Sequence, residues 1–282
     1  MNVTDASEKT SFRMQPVPLP SARLSSPGGR GIARDRLALW NQYGKRYRAT
    51  MALVGRTAPE FLGPRGSGLA GPAAAVADLA AVRLYLDEEW AWLDPALLEG
   101  ARGAHLSLAR CVASGLRGLP VHRGPAIART GVGVGTAVAD WYRGRHIVVD
   151  HGFWSATTSA AALSAGGCGF LVWSVTGRRT AAVDPHTPER VVFLPGTRFK
   201  VLGTTGDRQP LVLLREIVPA ELDGHPDGGG PTSRRLDENT VAALGKAAAR
   251  HGTPPRPAAF MGPRERPPGL IVAGRPGSTS HP

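Results

Sequence analysis

Three short segments carry side chains whose types and spacing could do chemistry on a ligand. Val121-His122-Arg123-Gly124 sets an arginine against a glycine at the end of a short apolar run. A guanidinium can grip a phosphate or a ribose through two parallel, charge-assisted hydrogen bonds. The adjoining Gly124 lets backbone and ligand approach closely, or simply makes a turn. Gly152-Phe153-Trp154-Ser155-Ala156-Thr157-Thr158 places Ser155 and Thr157 on one face of a strand, because side chains alternate along it. Phe153 and Trp154 beside them are candidates to line a pocket for a ring, or to join the core. The third segment runs from Val191-Val192-Phe193-Leu194 through Pro195-Gly196-Thr197 to Arg198-Phe199-Lys200-Val201, two strands joined by a tight turn. Glu189 precedes it.

In this order the segments resemble the arginine–serine–glutamate class of mono-ADP-ribosyltransferases. In that class an Arg-Gly ends the first core strand, a Phe-x-Ser-Thr-Ser stretch begins a second, and a Glu-x-Glu precedes an apolar run ending in Pro-Gly-Thr-x-Phe. The resemblance covers about residues 75–225, and Arg123 and Ser155 stand at a separation that such domains show. It implies NAD as substrate. Arg123 and Gly124 would hold the cofactor, Ser155, Thr157 and Phe153 would shape its site, and a carboxylate would stabilise an oxocarbenium-like transition state. The product would be an ADP-ribosylated protein side chain, or free ADP-ribose where water intercepts.

At the carboxylate this sequence departs from the pattern. Counting back nine residues from Phe199 reaches Arg190, and two earlier stands Pro188. Glu189 is therefore one residue out of register and should face away from where residue 190 points. Three outcomes are open. A β-bulge could bring Glu189 into the site; the carboxylate could be absent; or another acid, such as Asp184, could enter from the preceding loop. Arg190 in the pocket would repel the oxocarbenium. A catalytically inactive module of the same fold, acting through protein or nucleic-acid contacts, is thus the alternative to the enzyme.

The elements that must position these residues follow from periodicity. Helices are expected over 73–86, Pro95 to about Gly100, and Leu106 to Gly115. Strands are expected over Pro120–His122, Gly133–Val138, His146–Val149, Phe153–Thr157, Phe170–Val175, Arg190–Leu194, Arg198–Gly203 and Leu211–Ile217, with a small-residue helix at Ser159–Ala165. Helices first and strands second argue for α+β: an N-terminal helical lobe packed on two small, mostly antiparallel sheets. The domain is expected over 73–222. Residues 1–72 read as a basic, disordered region with one short helix whose face carries Trp40, Tyr43 and Tyr47. Residues 223–282 read as a Pro/Gly/Arg-rich tail, mostly disordered, with one isolated helix near 236–250.

Charge sharpens that division. The net charge of +12 divides as +7 over residues 1–70, +1 over 71–225 and +4 over 226–282. The basic flanks can attract nucleic acid nonspecifically without any fold, whereas the middle is nearly neutral. Cys111 and Cys168 are too few for a disulfide framework or a zinc site and sit among apolar neighbours, so both are expected as buried thiols. No apolar run is long enough for a membrane span, and the start lacks a signal peptide; the reading is cytoplasmic, or exported by a non-classical route. Gly131–Gly135 lacks the strand–helix context of a dinucleotide fingerprint. Tyr142-Arg143-Gly144 duplicates the strand-end motif too close to Ser155 to leave room for the intervening strands.

Overall fold

The computed structural model describes residues 11–18, 24, 29–57, 71–100, 102–130, 135–164, 167–206, 209–222, 230–249 and 266–273. The helical lobe is built from α1 (Gly29–Thr57), α2 (Pro72–Leu86), α3 (Leu93–Leu98) and α4 (Gly103–Gly118). Proline opens α2, where its missing N–H costs nothing. Gly115 of α4 lies so close to the Asp78 carbonyl of α2 that no Cβ fits there, so the two helices cross backbone to backbone.

The N-terminal region departs from expectation. Instead of one short helix it forms 29 residues of helix, kinked at Gly44 (φ 36°). Leu39, Tyr47 and Val54 are buried in the same core as α2 and α4. Trp40, expected on the packed face, is instead exposed beneath the Arg48 guanidinium, 5.4 Å from its ring centroid. The expected boundary at residue 73 therefore cuts through the lobe.

The strands are β2 (Gly124–Arg129), β3 (Ile147–Asp150), β4 (Trp154–Thr157), β5 (Gly169–Ser174), β6 (Arg178–Arg179), β7 (Arg190–Phe193), β8 (Thr197–Thr205) and β9 (Leu211–Ile217). They hydrogen-bond in the order β3-β8-β9-β5-β2-β4-β7-β6. Five strands and three strands meet at one pair, Ile127↔Thr157 between β2 and β4. All pairings are antiparallel except β5–β9. Trp154, Ala156, Val191 and Phe193 face inward, onto Phe170 and Phe199 from the five-strand part.

Three further differences have plain causes. The expected strand over Gly133–Val138 gives way to helix α5 (Gly135–Arg143), which buries Val138, Ala139 and Tyr142 along one side; 131–134 lie outside the described residues. Only Val121 of the expected strand 120–122 pairs, as an isolated bridge to Arg178, and the continuous ladder begins at Gly124. Two segments of the C-terminal region, 230–249 and 266–273, are described. Helix α6 (Pro231–Ala249) docks through Leu244 and through Arg215 of β9, which donates to Asp237 and Ser233. Strand β10 (Leu270–Ala273) pairs with β1 (Ser11–Met14) near the other end of the described chain. No helix among the described residues is long and apolar enough to cross a membrane.

Candidate active site

Opposite β4 lies β7, and the register is regular: Trp154↔Phe193, Ser155↔Val192, Ala156↔Val191, Thr157↔Arg190. Directly opposed residues share a face, so Ser155, Thr157, Val192 and Arg190 emerge together, toward the helical lobe. Arg190, at the position where the sequence resemblance led to the expectation of a carboxylate, is thus on this face. Its guanidinium donates to the Leu86 carbonyl at the end of α2 (3.2 Å) and lies 3.3 Å from Asp184. Asp184 is buried, with Arg83 of α2 3.6 Å from its other oxygen. An arginine–aspartate pair thus stands in this slot, held between β7, the loop before it and α2.

Glu189 is exposed, one step before the strand, and its carboxylate has no partner among the described residues. Its main-chain carbonyl accepts from Thr158 N at 2.9 Å, and Arg190 N closes a turn onto Thr187 O at 3.1 Å. No bulge interrupts β4–β7 to carry Glu189 onto the Ser155 face.

The remaining candidates separate into groups. The Ser155 hydroxyl is buried and has no hydrogen-bond partner among the described residues. Thr157 is buried, and its hydroxyl accepts from Ser159 N at 3.0 Å, which closes the turn after β4. Phe153 is a core residue: it is buried against Tyr85 at 4.9 Å and lines no open surface. Gly124 has φ +130°, a conformation side chains resist, and nothing lies within 4 Å of where a Cβ would project. Arg123 is exposed and unpaired among the described residues.

Exposure alternates over Val121, His122 and Arg123, which sets Arg123 on Val121's face. Val121, Arg178, Val192 and Ser155 form one row across the ladder, so β6 and β7 lie between Arg123 and Ser155. Val121 and Ser155 thus stand roughly 14 Å apart measured across the sheet, and Arg123 lies two residues further along its strand. The lobe covers the middle of the row, where Arg178 donates to the Arg117 and Leu119 carbonyls at the end of α4. Arg123 therefore sits at the rim of the lobe and Ser155 beneath it.

His122 links Arg123's strand end to β6. Its Nε2 lies 3.1 Å from the Pro125 carbonyl and must donate, which leaves Nδ1 to accept from Arg179 Nη2 at 3.1 Å. Burial, and secondarily the Arg179 charge, lower its pKa, against the hydrogen bond to Pro125, which raises it. Arg143 of the duplicated motif ends α5, where it pairs with Asp140 and Thr204.

Sequence reasoning missed the group that anchors β4. Asp150 is fully buried and accepts from both guanidinium nitrogens of Arg266, from Gly152 N and from Gly269 N. The Asp-x-Gly spacing was a readable signal for the Gly152 bond, since aspartate side chains commonly bond the backbone two residues on.

Comparison with solved structures sets this geometry among known folds. The type III effector XopAI from Xanthomonas axonopodis pv. citri superposes with a TM-score of 0.52 over 70% of this chain and 86% of its own, at 21% identity. The ADP-ribosyltransferase HopU1 of Pseudomonas syringae pv. Tomato DC3000 superposes with a TM-score of 0.54 over 69% of this chain and 100% of its own, at 11% identity. The fold is that of the ADP-ribosyltransferases. At these identities the likeness is one of fold. In sequence, 147 residues, half of the chain, are 30% identical to a Mycobacterium avium (strain 104) protein provisionally named NAD(+)--arginine ADP-ribosyltransferase Mav. The chain spans 18% of that relative's length. No family model matches it.

Proposed function

We propose that this protein is an NAD-dependent ADP-ribosyltransferase. The observation that carries the reading is Arg123, unpaired among the described residues, beside the open, left-handed Gly124 at a strand end of an ADP-ribosyltransferase fold. Arg123 would grip the NAD pyrophosphate with paired N–H groups, and the backbone at Gly124 would lie against the ligand. The Ser155 hydroxyl, buried without a partner, offers a donor and an acceptor to a bound ribose or nicotinamide. The bond from the nicotinamide nitrogen to ribose C1′ breaks, nicotinamide leaves, and a nucleophile attacks C1′. The name of the mycobacterial relative points to a guanidinium nitrogen of a protein arginine as that nucleophile, which gives up one proton as its bond to C1′ forms. Glu189, exposed and without a carboxylate partner among the described residues, is tied to the end of the Ser155 strand through its main-chain carbonyl and would support the oxocarbenium. The positive charge of Arg190 is offset by Asp184.

One observation favours a second reading. Arg190, not Glu189, shares the face of Ser155 and Thr157, which suits a module that keeps the fold and has lost transfer. Such a module would act through protein or nucleic-acid contacts, including those of the basic flanks. Nicotinamide release by the full chain, with Glu189→Ala and Arg190→Glu alongside, separates the two. The enzyme requires release by the native protein and a fall of about 10²–10³-fold in Glu189→Ala. The silent module requires no release by the native protein; a gain in Arg190→Glu would show which side chain it lacks.

A further inference from the structure

The segment just before Ser155 is held by residues far from it in sequence. Asp150 ends β3, and its carboxylate would be costly to bury alone. Arg266 meets it with two nitrogens at 2.6 Å each, and the second of these also donates to the Phe153 carbonyl at 3.0 Å. In return the Trp154 indole N–H donates to the Arg266 carbonyl at 3.1 Å. Gly269 N donates to Asp150 at 3.1 Å, and the Tyr142 hydroxyl donates to the Pro268 carbonyl at 2.5 Å. Strand β10 then pairs with β1, from which Gln15 reaches both the Asp150 carboxylate and His151 N. On the other side, Asp94 accepts from Phe153 N at 3.0 Å and from the Tyr85 hydroxyl at 3.0 Å. The turn from Asp150 to Trp154 is thereby gripped from the C-terminal segment and from the helical lobe.

We infer that Arg266 is a positioning residue. Acting through Asp150 and the Phe153 carbonyl, it fixes the entry of β4 and so the place of Ser155. The structural half of this inference stands on the contacts alone; its consequence for catalysis rests on the function proposed above. The Asp150 pocket is correspondingly a guanidinium site, formed by one buried carboxylate and one backbone carbonyl. Gly152 is required there, because a Cβ would come within 2.5 Å of the Arg266 guanidinium.

Hydrogen exchange on the full chain tests the structural half without reference to activity. In Arg266→Ala, exchange of the amides over 151–157 should rise by at least about tenfold while α2 and α4 keep their protection. Millimolar guanidinium should restore protection saturably, and equal ammonium should not. Arg266→Lys keeps the charge but not the two-pronged geometry, so it should fall between the two and serve if the alanine variant does not fold. Should the native protein release nicotinamide, kcat should follow the exchange data and recover with guanidinium. Unchanged exchange over 151–157 in a folded variant, a uniform rise across the whole chain, or equal rescue by ammonium would each overturn the inference. Absence of nicotinamide release from the native protein would count against the proposed function and leave the exchange result to decide on Arg266.

Discussion

Arg190 stands directly across the β4–β7 ladder from Thr157, and its guanidinium is ion-paired to the buried Asp184. A cation thus stands where a carboxylate was expected, and the neighbouring Asp184 offsets its charge. Replacing Arg190 by alanine leaves Asp184 with Arg83, at 3.6 Å, as its remaining ion-pair partner. Urea denaturation should show a loss of about 2–4 kcal/mol. Adding Asp184→Asn should give a double variant less destabilised than the sum of the two singles. Full additivity would mean that the pair does not form in solution.

Ser155 offers the opposite test. Its hydroxyl is buried without a partner, so Ser155→Ala should leave the stability of the free protein within about 1 kcal/mol of native, or raise it slightly. Its NAD affinity, measured by calorimetry, should fall. A large stability loss with unchanged NAD binding would assign the hydroxyl to the fold rather than to a ligand.

His122 makes stability depend on pH in a predictable direction. Burial first, and Arg179 second, lower its folded-state pKa below the ordinary 6.5. The unfolded chain then takes up a proton that the folded protein refuses. This contribution is fully present above pH 6.5 and is lost as pH falls from there toward the depressed folded value. Denaturation midpoints taken across that window should drop in the native protein and drop less in His122→Gln. Equal slopes would show that other groups carry the dependence.

Both cysteines should be inert in the folded state. Burial pushes the Cys168 thiol up to about 12, against the nearby Arg129, and raises Cys111 further still. The thiolate is the reactive form, so a disulfide reagent at mildly alkaline pH should label neither until denaturant is added. Fast labelling of either under native conditions would contradict its burial.

Much of the sheet was legible because its strands are short, apolar and bounded by glycine or proline; β4, β7 and β9 fall close to their expected ranges. Strand parity likewise gave the relation of Glu189 to Arg190, since one residue in a regular strand reverses the face. What stayed illegible depends on distant partners. Valines spaced by glycines over 131–135 imitate a strand, yet α5 forms from Gly135 because Val138 and Tyr142 find Phe170 and its neighbours. The arginine-rich α1 buries too narrow a stripe to announce its length. Thr157 looked like a ligand-facing hydroxyl, and no local pattern shows that Ser159 N claims it. Nothing near residue 266 hints that an arginine there answers an aspartate at 150.

The pairing of β1 with β10 has a consequence for how the protein is made. Synthesis delivers Asp150 and the β4 segment long before Arg266 leaves the ribosome. Until then the carboxylate has no guanidinium to meet and must stay hydrated, so the β3–β4 turn settles after the lobe and the central strands. Closing so long a loop is entropically slow compared with the local pairings. Maturation of this turn therefore waits on a segment 116 residues downstream of Asp150, and a product stalled or clipped before it would carry an unset turn beside Ser155.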